Sequence, residues 1–245
     1  MKVTPGWSTG WSIVRLLVAV LIAAALVAQL SRSISNAMER GGGEWTVTAN
    51  FFSFFTVLSN TFSMVVLVIL GVVALTHRGD ATSPSTALSF AHASVMTYMI
   101  VTGVVYNTLL RGVPLPQGTT VVWSNEVLHV VAPLFLLIDL IIGTRPPRLP
   151  WRAVLGILVF PVLWIVYTLV RGPLVTNPVT GASWWYPYPF LDPHVIGGYA
   201  GMVPYILGIA VGLAVFSTGV VYVGRRRNAG PSAAPEALSP VGQAQ

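Results

Sequence analysis

The chain has 245 residues, 54% of them hydrophobic and only 8% charged, with a mean hydropathy of +0.75 and a formal net charge of +6. Soluble domains carry about 25% charged residues, so a water-soluble globular fold is excluded and an integral membrane protein is implied. The positive balance calls for no nucleic-acid partner, because a basic membrane edge facing anionic headgroups accounts for it.

Six apolar runs reach the ~20 residues that a helix needs to cross a bilayer, at about 11–30, 49–75, 86–110, 122–142, 152–170 and 199–223. A barrel would alternate apolar and polar residues in shorter segments. The expected fold is therefore all-α, a polytopic bundle of six transmembrane helices over residues 1–227. The first run could also be a signal peptide, with small residues between Ala23 and Ala28 as a cleavage site. It exceeds the usual 7–15 residue core of such peptides, which favours an uncleaved anchor.

The second run opens with "NFFSFFTVLSN", residues 50–60. On a regular helix Ser53, Thr56, Asn60 and Ser63 fall on one face, in steps of three and four. Such a stripe either joins helices, as small and hydroxylated residues do in membranes, or lines a reactive site. The third run carries His92 near its start. In the fourth, "SNEVLHVVAPLFLLIDL" (124–140) sets Asn125 and His129 one turn apart and Asp139 further along. Ionisable residues inside membrane segments are rare and mark functional sites by default. Asp139 lies too far from Thr56 to serve it and is expected to pair with His92. The loop before the sixth run holds "WWYPYPFLDP", 184–193, either an aromatic belt at the interface or a lid. Its Asp192 would orient His129 or cap the next helix. Residues 228–245, rich in Ala, Pro and Ser, read as a disordered cytoplasmic tail.

Basic residues orient the bundle. With both termini in the cytoplasm, eight lie inside (Lys2, Arg78, Arg145, Arg148, Arg152, Arg225, Arg226, Arg227) and four outside (Arg32, Arg40, Arg111, Arg171), with Arg15 near a boundary. The positive-inside rule selects that orientation in a cell inner (plasma) membrane. Thr56 and His129 would each lie about seven residues into their helices, hence ~10 Å below the outer boundary at 1.5 Å per residue. A hydroxyl and an imidazole at matched depth suit nucleophilic catalysis, with the histidine as base. Ser59, Asn60 and Asn125 are candidates to polarise a carbonyl. No cofactor or metal is expected: His92 and His129 lie near opposite faces, unsuited to haem, and only His129, His194 and Asp192 approach a metal-ligand set. A transporter would spread polar groups through the full thickness and show an inverted repeat, and neither is evident. The alternative class is a non-enzymatic membrane scaffold or a small-molecule transport or binding protein.

Three landmarks, "FFTVLSN" around Thr56, Asn125 to His129 followed by Asp139, and "YPFLD" at 188–192, occur in an order that resembles the androgen-induced and androgen-dependent TFPI-regulating protein family of multipass membrane hydrolases, with its six-helix bacterial relatives. The resemblance spans most of the chain. Ser59–Asn60 departs from the animal members, and Pro133 falls one position earlier than in them. It implies a threonine nucleophile at Thr56, a histidine base at His129, and hydrolysis of fatty acid esters of hydroxy fatty acids. Tyr188 and Asp192, inside the third landmark, would support a lipid or fatty-acid ester substrate among the membrane lipids. The oligomeric state is left open.

Overall fold

A computed structural model describes residues 5–76, 85–113, 119–144 and 146–228. The tail at 229–245, together with Lys2, Arg78 and Arg145, lies outside the described residues. In chain order the helices are α1 (Pro5–Glu39), α2 (Glu44–Phe51), α3 (Phe55–Thr76), α4 (Thr86–Val105), α5 (Val122–Glu126), α6 (Ala132–Ile142), α7 (Ala153–Arg171) and α8 (Gly198–Asn228). One turn of π-helix, Tyr106–Leu110, ends α4, and another, Val127–Val131, joins α5 to α6 without a break. No strand occurs among the described residues. Six of the resulting rods are long and apolar enough to cross a membrane. The protein is an all-α polytopic bundle.

Small residues let these rods approach. The inward face of α1 runs Ser12, Arg15, Ala19, Ile22 and Ala25, each 1% exposed or less and spaced by three or four. Opposite it, a Cβ on Gly71 of α3 would stand 2.7 Å from Leu16, so only glycine permits that contact. α4 is the central rod, buried almost continuously from His92 to Thr102 and touching α3, α6, α7 and α8. In α7, Pro161 cannot donate to the carbonyl four residues earlier. That carbonyl, Ile157, accepts instead from the Tyr98 hydroxyl of α4 at 2.7 Å.

The second predicted helix is corrected. It divides into α2 and α3 at Phe52–Phe54, where three successive amides close turns onto Thr48, Asn50 and Phe51. The phenylalanines keep hydropathy high across the break, which hides it from a search for apolar runs. Ser53 therefore lies off the α3 face, and Thr56 stands in the first turn of α3 while His129 lies seven residues past the start of α5. Asn228, expected in the tail, is helical.

Away from Thr56, charges are buried. Arg15, set aside in sequence as a boundary residue, lies inside the bundle, its Nη2 2.8 Å from Asp139 Oδ1. Asp139 also meets His92 Nε2 at 2.9 Å, as expected, and accepts from Trp11 Nε1. Arg15 donates further to the Thr144 carbonyl at 2.6 Å. Arg225 and Arg227 reach the carbonyls of Leu149, Leu140 and Gly143, which fixes α8 to the 143–150 connection.

Candidate functional site

The polar stripe of α3 faces inward. Thr56, Ser59, Asn60 and Ser63 are all buried. Because Thr56 sits in the first helical turn, its amide has no intrahelical acceptor. The Tyr188 hydroxyl takes that N–H at 3.3 Å and lies 3.3 Å from Thr56 Oγ1. Ser59 Oγ and Asn60 Nδ2 donate to the Thr56 carbonyl at 3.1 and 2.9 Å. Thr56 is thus held from both sides.

Tyr188 arrives from the aromatic loop, which packs inward. Tyr188, Phe190 and Leu191 are buried against Phe54, Phe55 and Trp164. Burial raises the Tyr188 phenol above its ordinary value, with the Thr56 hydrogen bonds pulling the other way; the phenol is neutral at physiological pH. At the helix break, Ser53 Oγ donates to Ala49 O and meets the Tyr167 hydroxyl at 2.9 Å. Asp192 accepts the His194 amide at 2.9 Å, a local turn ahead of α8. It makes no hydrogen bond to His129 among the described residues.

His129 lies within the π-turn of the α5–α6 rod. Its Nδ1 is 2.9 Å from the Asn125 carbonyl. A carbonyl only accepts, so Nδ1 carries the proton and Nε2 keeps its lone pair. The imidazole stacks on Tyr106 at 4.1 Å and 24°. Tyr106 heads the other π-turn, so each of two facing π-turns supplies one ring; such turns recur at functional sites. Gly103 permits the approach, because a Cβ there would stand 2.8 Å from Pro133. Arg111 lies 5.7 Å from the Tyr106 ring centre and holds Glu126 through both carboxylate oxygens at 2.7 and 2.6 Å.

The structure brings the rods of Thr56 and His129 together, since Asn60 Nδ2 donates to the Leu128 carbonyl at 3.0 Å. No hydrogen bond joins Thr56 to His129 among the described residues. Tyr106 stands between the two groups' surroundings: it stacks on His129 and also lines a cavity with Thr56. That cavity measures about 890 Å³ when the open space at its mouth is counted with it. Its walls are apolar apart from Thr56, Thr102, Tyr106, Trp164 and Tyr188. Leu158, Ile209 and Leu213 also form its walls, and its exposed lining residues are Val162 of α7 and Ala210 of α8. Tyr106, Thr102 and Trp164 were not singled out in sequence. Among the described residues no three metal-ligating side chains converge.

Fold and site together define a polytopic helical membrane protein with a large apolar cavity and a hydroxyl-rich end. No family model matches this chain, and no match was found among curated proteins or solved structures.

Proposed function

We propose that this protein is an intramembrane hydrolase of lipid-like esters, with Thr56 as nucleophile and His129 as base. One observation carries the reading: the buried Thr56 lines a cavity whose walls are otherwise apolar apart from Thr102, Tyr106, Trp164 and Tyr188. Such walls accommodate an acyl chain and leave the ester group beside Thr56. Threonine is a weak nucleophile without a base to take its proton, and the Nε2 lone pair of His129 supplies one. Base catalysis works over hydrogen-bond reach or through one water. The reading therefore requires Nε2 to come within that reach of Oγ1 once ester occupies the cavity. Attack yields an acyl-threonine, His129 returns the proton to the leaving alcohol, and water then releases the acid.

By resemblance, the substrates are fatty acid esters of hydroxy fatty acids. The reading includes cytoplasmic termini in a plasma membrane, with Arg148, Arg152 and Arg225–Arg227 on the cytoplasmic side and Thr56 towards the outer side. A second reading, an apolar-ligand binding or transport protein, is favoured by the missing hydrogen bond between Thr56 and His129.

A fluorophosphonate probe separates the two. Labelling of the wild type, lost in Thr56→Ala and in His129→Ala while both remain folded, is the expected result. Equal labelling of all three, or none of the wild type, leaves the binding reading.

A further inference from the structure

We infer that the Tyr106 hydroxyl is the donor that meets the carbonyl oxygen of the bound ester and holds its negative charge as Thr56 attacks. This rests on the hydrolase reading above and names the group which that reading leaves unassigned.

Outside the Thr56–Tyr188 pair, whose two hydroxyls share one contact, each polar side chain on the cavity wall has its proton engaged, except one. Trp164 Nε1 donates to the Ser53 carbonyl at 3.0 Å. Ser59 Oγ donates to the Thr56 carbonyl at 3.1 Å, so it has only lone pairs to offer Thr102, 3.2 Å away; the Thr102 proton is therefore directed at Ser59. Tyr188 already accepts the Thr56 amide. When Thr56 yields its proton to a base, the single proton left between the two oxygens is that of Tyr188, held on Oγ1. The exception is Tyr106. Its oxygen accepts from Asn125 Nδ2 at 2.5 Å, and an amide nitrogen gives protons but takes none. The phenol proton has no acceptor among the described residues, although Tyr106 is only 9% exposed and lines the cavity.

The donor is also fixed in place. Asn125 holds the oxygen, His129 lies flat on the ring, and Arg111 lies 5.7 Å from the ring centre. A donor held in place before the reaction, among mostly apolar walls, is the kind of arrangement that stabilises an oxyanion. As Thr56 Oγ bonds to the carbonyl carbon, the C=O π pair moves onto oxygen and the Tyr106 O–H hydrogen-bonds it without giving up the proton. The pair returns as the alcohol departs, protonated by His129. Asn125, which acts only through Tyr106 and His129, is a positioning residue.

The test uses the full-length chain in lipid nanodiscs with a long-chain p-nitrophenyl ester. Tyr106→Phe lowers kcat by roughly 10²–10³-fold, the usual cost of one oxyanion donor, with KM within about two-fold. Asn125→Asp replaces the amide donor with a carboxylate that claims the phenol proton, and lowers kcat likewise while keeping the ring. An alkyl trifluoromethyl ketone, whose adduct carries the oxyanion, binds both variants more weakly, whereas an alkane of equal length binds all forms alike. Wild-type kcat in either folded variant, with Thr56→Ala inactive, overturns the role of Tyr106 and leaves the hydrolase reading standing. A wild type that neither turns over ester nor reacts with the fluorophosphonate overturns both. Should Tyr106→Phe fail to fold, Asn125→Asp decides alone.

Discussion

Arg15 and Asp139 are the most costly residues to bury in this bundle, both essentially unexposed and 2.8 Å apart. Their charges are tolerable because close partners compensate them: His92 and Trp11 reach the carboxylate, and the Thr144 carbonyl takes a guanidinium proton. Removing one partner of a buried pair leaves the other unpaired, at about 3–5 kcal/mol. Arg15→Met is therefore expected to destabilise the protein by about that much, whereas Arg15→Met with Asp139→Leu recovers only part of the loss, because His92 and Trp11 then lose their acceptor. Denaturant unfolding in micelles reads both. A single variant as stable as the wild type would rule out this network as a structural anchor. The same scale explains why Arg15 escaped the sequence reading: an arginine near the start of an apolar run looks like a boundary, and its carboxylate lies 124 positions away.

Among the elements, the joint between α4 and the α5–α6 rod carries the site. Gly103→Val would push α4 off Pro133, and overpacking of this kind costs typically about 1–3 kcal/mol. On the proposed hydrolase reading, because Tyr106 lies one turn beyond, the substitution is also expected to reduce ester turnover by more than its effect on unfolding explains. Unfolding and kcat measured on the same preparation check this. The aromatic loop offers a pH test. Tyr188 has an ordinary pKa of 10.0, and burial raises it in the folded chain. Its stabilising contribution is complete below pH 10 and fades as pH rises through the folded value, since the unfolded chain ionises first. The melting-temperature advantage of wild type over Tyr188→Phe should stay level between about pH 7 and 9 and shrink above 10; an advantage that grows there contradicts the assignment. π-turns leave no mark in hydropathy, so neither Tyr106 nor its stack on His129 was legible, whereas Tyr188 stood out through "YPFLD".

Across the whole molecule, the chain lacks cysteine, which makes single-cysteine labelling clean. With the proposed orientation, an impermeant maleimide added to intact cells labels Ser183→Cys and spares Arg226→Cys; the reverse pattern inverts the topology. The six spans were legible because continuous apolar runs are what lipid demands of a helix. The inward face shared by Thr56, Asn60 and Ser63 was legible from its spacing, although the break at Phe52–Phe54 shifts Thr56 to a helix start. The cavity was not, because its walls are the same Leu, Ile and Val that elsewhere face lipid or pack, and only tertiary geometry separates those fates.

The exposed lining residues of the cavity, Val162 of α7 and Ala210 of α8, belong to the bundle's apolar flank. On the proposed hydrolase reading, an ester entering there would travel sideways from the surrounding leaflet without dissolving in water. Its effective concentration is a mole fraction among lipids, so diluting the protein with inert phospholipid should slow turnover even when the bulk ester is unchanged. Inhibitor potency would then follow partitioning into the bilayer as much as fit to the chamber.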